Sequence, residues 1–301
     1  MAGGALDTTT DPRFTALLRM IDELPTVPET LVRIWQIVDD PLSTSETLAN
    51  VVRLDAPLSI KVLRLTNSPY YSSSGQSIAD IGTAVSVLGF EAIKQLAICV
   101  AVATNLVRDH ARRRGGPDYR ALWRHSVVAG VVAKRLALTT GDPNPDEVFT
   151  AGLLHDLGKF ALLCAMPDRY AEAIAARRQT GRTLVEVETE QFGFDHAAAG
   201  AAFGRSWHFP EVLTEGARCH HDRFLGPRDD NRLERVRLCV ALADRVAHRL
   251  DPPACDLGFV SAAAETGPLL LQLDLYPAAI DELLPKLRDD LQRAHAYLDI
   301  V

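Results

Sequence analysis

The sequence of 301 residues predicts an all-α fold. Apolar residues recur at helical spacing along most of the chain, and an alternation of period two is hard to find over even five residues. Pairs typical of capping boxes, Ser43 with Glu46 and Thr183 with Glu186, indicate where two helices begin. With 47% hydrophobic and 24% charged residues, the chain has the composition of a globular protein that buries a core.

Other helix boundaries follow from single residues. One apolar stripe that begins at Ile78 stops at Gly89, and we expect this glycine to form a left-handed cap. Pro57, Pro145 and Pro210 stand where a first helical turn would begin, because proline tolerates that position. Helices should therefore start at all three prolines.

Two breaks in the helical pattern predict the domain organisation. The first is the arginine and glycine run at 112–117, and the second is the proline pair within 251–254. They divide the chain into an amino-terminal helical lobe at 13–114, a second helical lobe at 117–250 and a helical tail at 255–301.

Charge and hydropathy exclude several function classes. The net charge of −7 gives no global positive field, so we do not expect the chain to bind duplex nucleic acid. Residues 1–11 lack a basic stretch followed by an apolar run, and the longest purely apolar segment is Leu96–Ala103. Because a membrane span needs about 20 apolar residues, we expect a cytoplasmic protein without membrane association. Five cysteines without a CxxC pair argue against a disulfide framework or a zinc ribbon.

Seven metal-type side chains fall where the helical pattern points inward. Any one histidine could be a core residue bonded to a backbone carbonyl, but burying seven such groups is unusual. Together they could offset the cost of burial by binding divalent cations, and they are too many for one tetrahedral zinc. The mixed nitrogen and oxygen donors favour two ions of iron or manganese, with zinc as the alternative. The seven are His125, His155, Asp156, His196, His220, His221 and Asp244.

The order of these residues resembles a known signature. The H…HD…D pattern of the HD metal-dependent phosphohydrolase superfamily is similar to a subset of them. Three further histidines resemble the additional ligands of its HD-GYP branch, which hydrolyses cyclic dinucleotides at a two-metal centre. The subset is His125, His155, Asp156 and Asp244, with Gly158 and Lys159 following the His155-Asp156 pair, and the further histidines are His196, His220 and His221.

The amino-terminal half resembles the HDOD family, a bacterial signalling relative of HD-GYP. The motifs that carry this resemblance are Leu24–Pro28, Leu63–Ser68 with Tyr71, and the stripe ending at Leu88–Gly89. The resemblance covers about residues 24–244. It implies a helical bundle packed on an HD-like helical subdomain, in a regulatory or interaction module.

The resemblance also implies roles for the donors. One ion would be held by His125, His155 and Asp244, and Asp156 would bridge to a second ion. If the site is catalytic, Lys159 would stabilise charge that develops on phosphorus; the alternative is a surface lysine near a helix end. The second ion would be held by His196, His220 and His221.

Two differences from the HD-GYP enzymes argue against cyclic-dinucleotide hydrolysis and against a third metal ion. Residues 222–227 contain no Gly-Tyr-Pro, and Ala121 stands where a third-metal glutamate could sit.

Three functional hypotheses stay open. They are a signalling module with a structural or sensory metal centre and a protein partner, a two-metal phosphohydrolase acting on a nucleotide or phosphoester, and a di-iron oxygenase. For the first, Tyr70 and Tyr71 are either partner anchors or residues that pack their loop onto its own lobe.

Overall fold

The computed structural model contains helices and no strand in the part of the chain that it describes, which confirms the all-α prediction. The predicted breaks at 112–117 and 251–254 lie outside the described residues, as does Tyr70, so the domain boundaries stay a prediction. The described residues are 15, 18, 19, 21, 24, 27–68, 71, 77–107, 118–222, 231–250 and 266–298.

Within the described part of the amino-terminal half, four α-helices and a short π-helix follow Pro28. The first three pack against the long fourth helix, whose apolar side chains form most of their shared core. Aspartates Asp55 and Asp80 cap the third and fourth helices by accepting backbone N–H bonds. The bounds are α1 (Glu29–Val38), α2 (Ser45–Arg53), α3 (Ala56–Thr66), α4 (Ile81–Val102) and the π-helix (Ala103–Val107).

Two local predictions in this half need correction. Thr44, not Ser43, caps α2 by accepting a bond from Thr47 N at 3.2 Å, and Glu46 instead contacts Arg53 at 2.7 Å. Gly89 has the expected positive φ of 80°, but it only interrupts α4, and helix resumes immediately after it. The apolar stripe therefore ends at a kink within one long element.

Among the residues that the structure describes, the second half contributes eight helices and the tail three. Thr183 and Glu186 form the predicted capping box at the start of α9. Pro57 and Pro145 lie in the first turns of α3 and α6, and Pro210 immediately precedes α11. The bounds are α5 (Tyr119–Thr139), α6 (Pro145–Leu154), α7 (Leu157–Ala165), α8 (Pro167–Thr180), α9 (Leu184–Phe192), α10 (His196–Ser206), α11 (Glu211–Cys219), α12 (Asn231–Leu250), α13 (Thr266–Gln272), α14 (Ala279–Arg293) and α15 (His295–Leu298).

Packing in the second half brings distant helix ends together. Helix α5 packs along α6 and α12, α7 packs on α10, and α11 contacts α6, α10 and α12. The amino-terminal half contacts this assembly through α4 on α6, and Trp35 meets Phe209 edge to face with ring centroids 5.5 Å apart. The metal-type residues lie at the junction of these second-half helices.

Two helical stretches are long and apolar enough to cross a membrane. They are 81–105 and 145–165, and 61% and 89% of their most apolar windows are buried within the protein. Their burial against other helices is that of core helices in a soluble protein.

Candidate metal centre

One cluster of donors joins α5, the end of α6 and α12. His125 Nε2 lies 3.3 Å from His155 Nε2 and 3.1 Å from Asp244 Oδ1. His155 Nε2 lies 3.5 Å from the same Asp244 oxygen. All three side chains are buried. These are the three residues expected to hold one ion.

A second cluster joins the start of α10 to the end of α11. His221 Nε2 lies 2.7 Å from His196 Nε2, and the rings of His196 and His220 have centroids 5.4 Å apart. One ligand atom from each of the three histidines lies within 4.8 Å of the others. His196 and His220 are buried and His221 is partly exposed.

Asp156 lies between the two clusters. Its Oδ2 is 3.4 Å from His155 Nε2 and 3.8 Å from His125 Nε2. Its Oδ1 is 3.5 Å from both His196 Nε2 and His220 Nε2. Each carboxylate oxygen therefore faces one cluster, which is the arrangement that a bridging ligand requires. The structure brings all seven predicted residues together.

Backbone carbonyls fix the orientation of two histidines. His155 Nδ1 donates to Gly152 O at 2.7 Å, and His220 Nδ1 donates to Ala217 O at 2.6 Å. A carbonyl can only accept, so Nδ1 carries a proton in both residues, and in the neutral form of each imidazole Nε2 is unprotonated. The Nε2 lone pairs then face Asp156 and the centre of the site, as metal ligands do.

Comparison with known proteins identifies the family. The HDOD domain model matches residues 24–223. The chain belongs to the HDOD family. An uncharacterised protein of Treponema pallidum is 24% identical over 218 residues, which are 72% of this chain and 41% of that protein. The chain thus spans less than half the length of this curated relative.

Solved structures share the HDOD fold. An HDOD domain protein of unknown function from Geobacter sulfurreducens is 26% identical, with a TM-score of 0.69 over 93% of this chain and 98% of that one. A candidate phosphohydrolase from Shewanella amazonensis is 24% identical, with a TM-score of 0.71 over 94% and 98%. A candidate signal transduction protein from Marinobacter aquaeolei is 21% identical, with a TM-score of 0.73 over 96% and 64%.

Glu188 is a site residue of this HDOD chain that the sequence analysis missed. It is buried on α9, and its Oε2 accepts from His196 Nδ1 at 2.6 Å and from His196 N at 2.9 Å. Tyr170 Oη donates to the other oxygen at 2.5 Å. Glu188 lies four residues after Leu184 on the inward face of its helix, so the reasoning used for Asp244 could have found it.

We expect Glu188→Gln to weaken metal binding while the protein stays folded. The carboxylate orients the His196 ring through its hydrogen bond to Nδ1, and losing such a partner typically lowers metal affinity about 10- to 100-fold. Competition with a chromophoric chelator measures the affinity. The matched control is Glu190→Gln on the same helix, where the glutamate is exposed and pairs with Arg182 at the surface. Equal affinities of the two variants would contradict the role of Glu188.

Burial and neighbouring charges have opposite effects on the pKa values of three site residues. Burial would raise the pKa of Asp156, but the positive charges of His155 and Lys159 hold that pKa well below its usual range. Burial would also raise the pKa of Asp244, which His248 and hydrogen bonds from other histidines hold well below its usual range. Burial opposes a charge on His155 too, yet Asp156 raises the pKa of His155 to about 10. Both carboxylates are therefore available as anionic ligands.

The donor set fits divalent metal ions. Burial lowers the pKa of His125 to about 4 and also lowers that of His220, so both are in the neutral form that binds metal. Asp156 Oδ1 and His220 Nε2 are buried with no hydrogen-bond partner among the described residues. A buried polar atom without a partner costs about 1–3 kcal/mol, and a cation would satisfy both atoms. Nitrogen and carboxylate donors together suit iron, manganese or zinc.

Lys159 and His248 complete the surroundings. Lys159 is 2% exposed and its Nζ donates to Asp156 Oδ2 at 2.7 Å, so it is not the surface lysine of the alternative interpretation. His248 lies one helical turn after Asp244, with Nε2 at 3.2 Å from Asp244 Oδ1 and its ring stacked on His125 at 4.5 Å. Sequence reasoning assigned no role to His248.

Proposed function

We propose that this HDOD chain is a cytoplasmic signal-transduction module that acts through protein contacts and carries a binuclear metal centre of structural or sensory role. The observation that carries the proposal is the burial of the donors. All of them except His221 are buried; three lie within α5, α10 and α12, and the other four lie just after the ends of α6 and α11. A site of this kind joins helices more readily than it admits a substrate.

Metal binding at this position would stabilise the helical assembly. His125, His155 and Asp244 would hold one ion, and Asp156 would bridge to the ion held by the remaining three histidines. Because the donors come together only in the folded chain, binding adds directly to the free energy of unfolding. Gain or loss of metal would then change how α10 and α11 pack on α6 and α7, and this change would be the sensing step.

Contact with a partner is assigned to the amino-terminal half. Both donor clusters and Asp156 lie between residues 125 and 244, which leaves the amino-terminal half without a comparable cluster where it is described. Tyr71 is partly buried against the core, which supports the packing interpretation for this residue. Tyr70 stays a predicted anchor. A signalling partner is consistent with the signal-transduction description of the Marinobacter structure.

A two-metal phosphohydrolase acting on a nucleotide or phosphoester is the second candidate. The complete donor set and the proximity of Lys159 to Asp156 favour it. Bound ions would supply Lewis-acid stabilisation of phosphoryl oxygens. Against it, the Lys159 ammonium group is buried and already bonded to Asp156, so it would have to move to meet a substrate.

Phosphoester hydrolysis distinguishes the two candidates. We expect metal-loaded wild-type protein and Asp156→Ala to hydrolyse bis(p-nitrophenyl) phosphate and a cyclic dinucleotide at the same background rate, since the centre is buried. Release of p-nitrophenol and chromatography of the nucleotide measure the rates. Metal-dependent turnover by the wild type, abolished in Asp156→Ala, would overturn the module and establish the phosphohydrolase.

A further inference from the structure

A cavity separate from the metal centre lies where α4, α5, α6 and α14 meet. Its volume is about 310 Å³, which is within the range of small-molecule sites. None of the seven metal-type donors lines it. Tyr71 and Gln95 reach it from the amino-terminal half, and the other lining residues come from the second half and the tail.

Aromatic side chains form one wall of the cavity. The rings of Phe149 and Tyr297 have centroids 5.1 Å apart and are tilted by 49°, and both residues are buried. Trp123 Nε1 donates to the carbonyl oxygen of Tyr297 at 2.9 Å, which fixes the position of that residue. Together with Tyr71, these rings provide a preformed apolar surface for a flat ligand.

One buried side-chain nitrogen at the cavity has no hydrogen-bond partner among the described residues. Gln95 is 3% exposed, and its Nε2 makes no hydrogen bond within the described part of the chain. Leaving such a donor unsatisfied costs about 1–3 kcal/mol. Because Gln95 lines the cavity, an acceptor atom of a bound molecule would remove this cost.

The charged residues of the cavity leave an excess of positive charge. Lys134 pairs with Asp146 at 2.5 Å, and Arg135 Nε donates to Asp290 Oδ2 at 2.8 Å. Arg293 also lines the cavity, is exposed and forms no ion pair with any residue that the structure describes. The third cation is therefore available to an anion.

We propose that this cavity is a binding site for a small molecule that joins an aromatic ring to an anionic group. The ring would lie against Phe149 and Tyr297, the anion would meet Arg293, and an acceptor atom would bond to Gln95 Nε2. Such a ligand would contact both halves of the chain and the tail at once. Its binding would therefore stabilise their mutual packing.

Titration calorimetry with 1-anilinonaphthalene-8-sulfonate tests the site, because this probe carries both an aromatic system and an anion. We expect saturable binding of one probe per wild-type chain. Arg293→Glu reverses the charge at the cavity, and Leu138→Trp fills its mouth from a half-exposed position. Each should weaken binding at least tenfold without unfolding the chain, since both residues are exposed.

Two controls match these variants. Arg288→Glu makes the same charge change on the exposed side of α14, and Leu271→Trp makes the same size change at another exposed leucine; neither residue lines the cavity. We expect both to bind within twofold of wild type. Lack of saturable binding by wild-type protein would overturn the proposal. Binding by Arg293→Glu and Leu138→Trp at the level of their controls would do the same, because the probe would then lie elsewhere.

Discussion

Asp156→Ala is expected to remove most bound metal and to abolish the stabilisation that metal confers. Asp156 presents one oxygen to each donor cluster, so its loss affects both proposed ions. In the wild type, metal at 1,000 times its Kd adds about 4 kcal/mol to the free energy of unfolding. His155→Ala should behave alike, because its Nε2 faces the Asp156 and Asp244 carboxylates. Elemental analysis of anaerobically purified protein measures the metal, and calorimetric melting with and without metal measures the stabilisation.

The comparison with and without metal isolates binding from direct effects of the substitution. Removing Asp156 also leaves Lys159 and His155 buried beside an uncompensated site, which destabilises the metal-free protein by itself. His208→Asn is the control, because His208 is exposed outside the clusters and asparagine tolerates its positive φ of 54°. Wild-type protein without metal above background, under reducing conditions, would refute the ligand assignment.

The donor positions could be predicted because each member places an ionisable side chain where the helical pattern points inward. Asp244 lies on an apolar stripe that a carboxylate should avoid, and His125 lies on another. Such positions are visible in the sequence alone, and the family signature adds their order. Glu188 occupies a position of the same kind, yet it belongs to no signature and was overlooked.

What the sequence could not provide depends on contacts between distant segments. Lys159 was compatible with a surface position, and only the packing of α7 against its neighbours buries it. Ser43 and Thr44 both satisfy the chemistry of a helix cap, so backbone geometry decides between them. Gly89 takes the predicted left-handed φ, but tertiary packing of α4 on both sides continues the helix.

The role of Gly158 also depends on a contact between distant segments, and its substitution is expected to have a large effect on stability. In the sequence this glycine follows the His155-Asp156 pair with no sign of a close contact, and the structure places it inside α7 where that helix packs on α10. A Cβ at Gly158 would lie 1.8 Å from His196 O and 2.6 Å from Gly200 N. Both are backbone atoms, which cannot rotate away as a side chain could. Glycine is therefore required for the close approach of the two helices.

We expect Gly158→Ala to destabilise the protein by about 3 kcal/mol or more. The new methyl group would clash with backbone atoms of α10, and α7 would have to move away from that helix. The separation moves Asp156, just before α7, away from His196, the first residue of α10, so metal content should fall together with stability. Denaturant unfolding and elemental analysis measure the two effects. Gly267→Ala is the control, because a Cβ there meets nothing within 4 Å and alanine favours its helix. A Gly158→Ala protein that unfolds at the wild-type denaturant concentration and keeps its metal would show that the contact between α7 and α10 does not position the two donors.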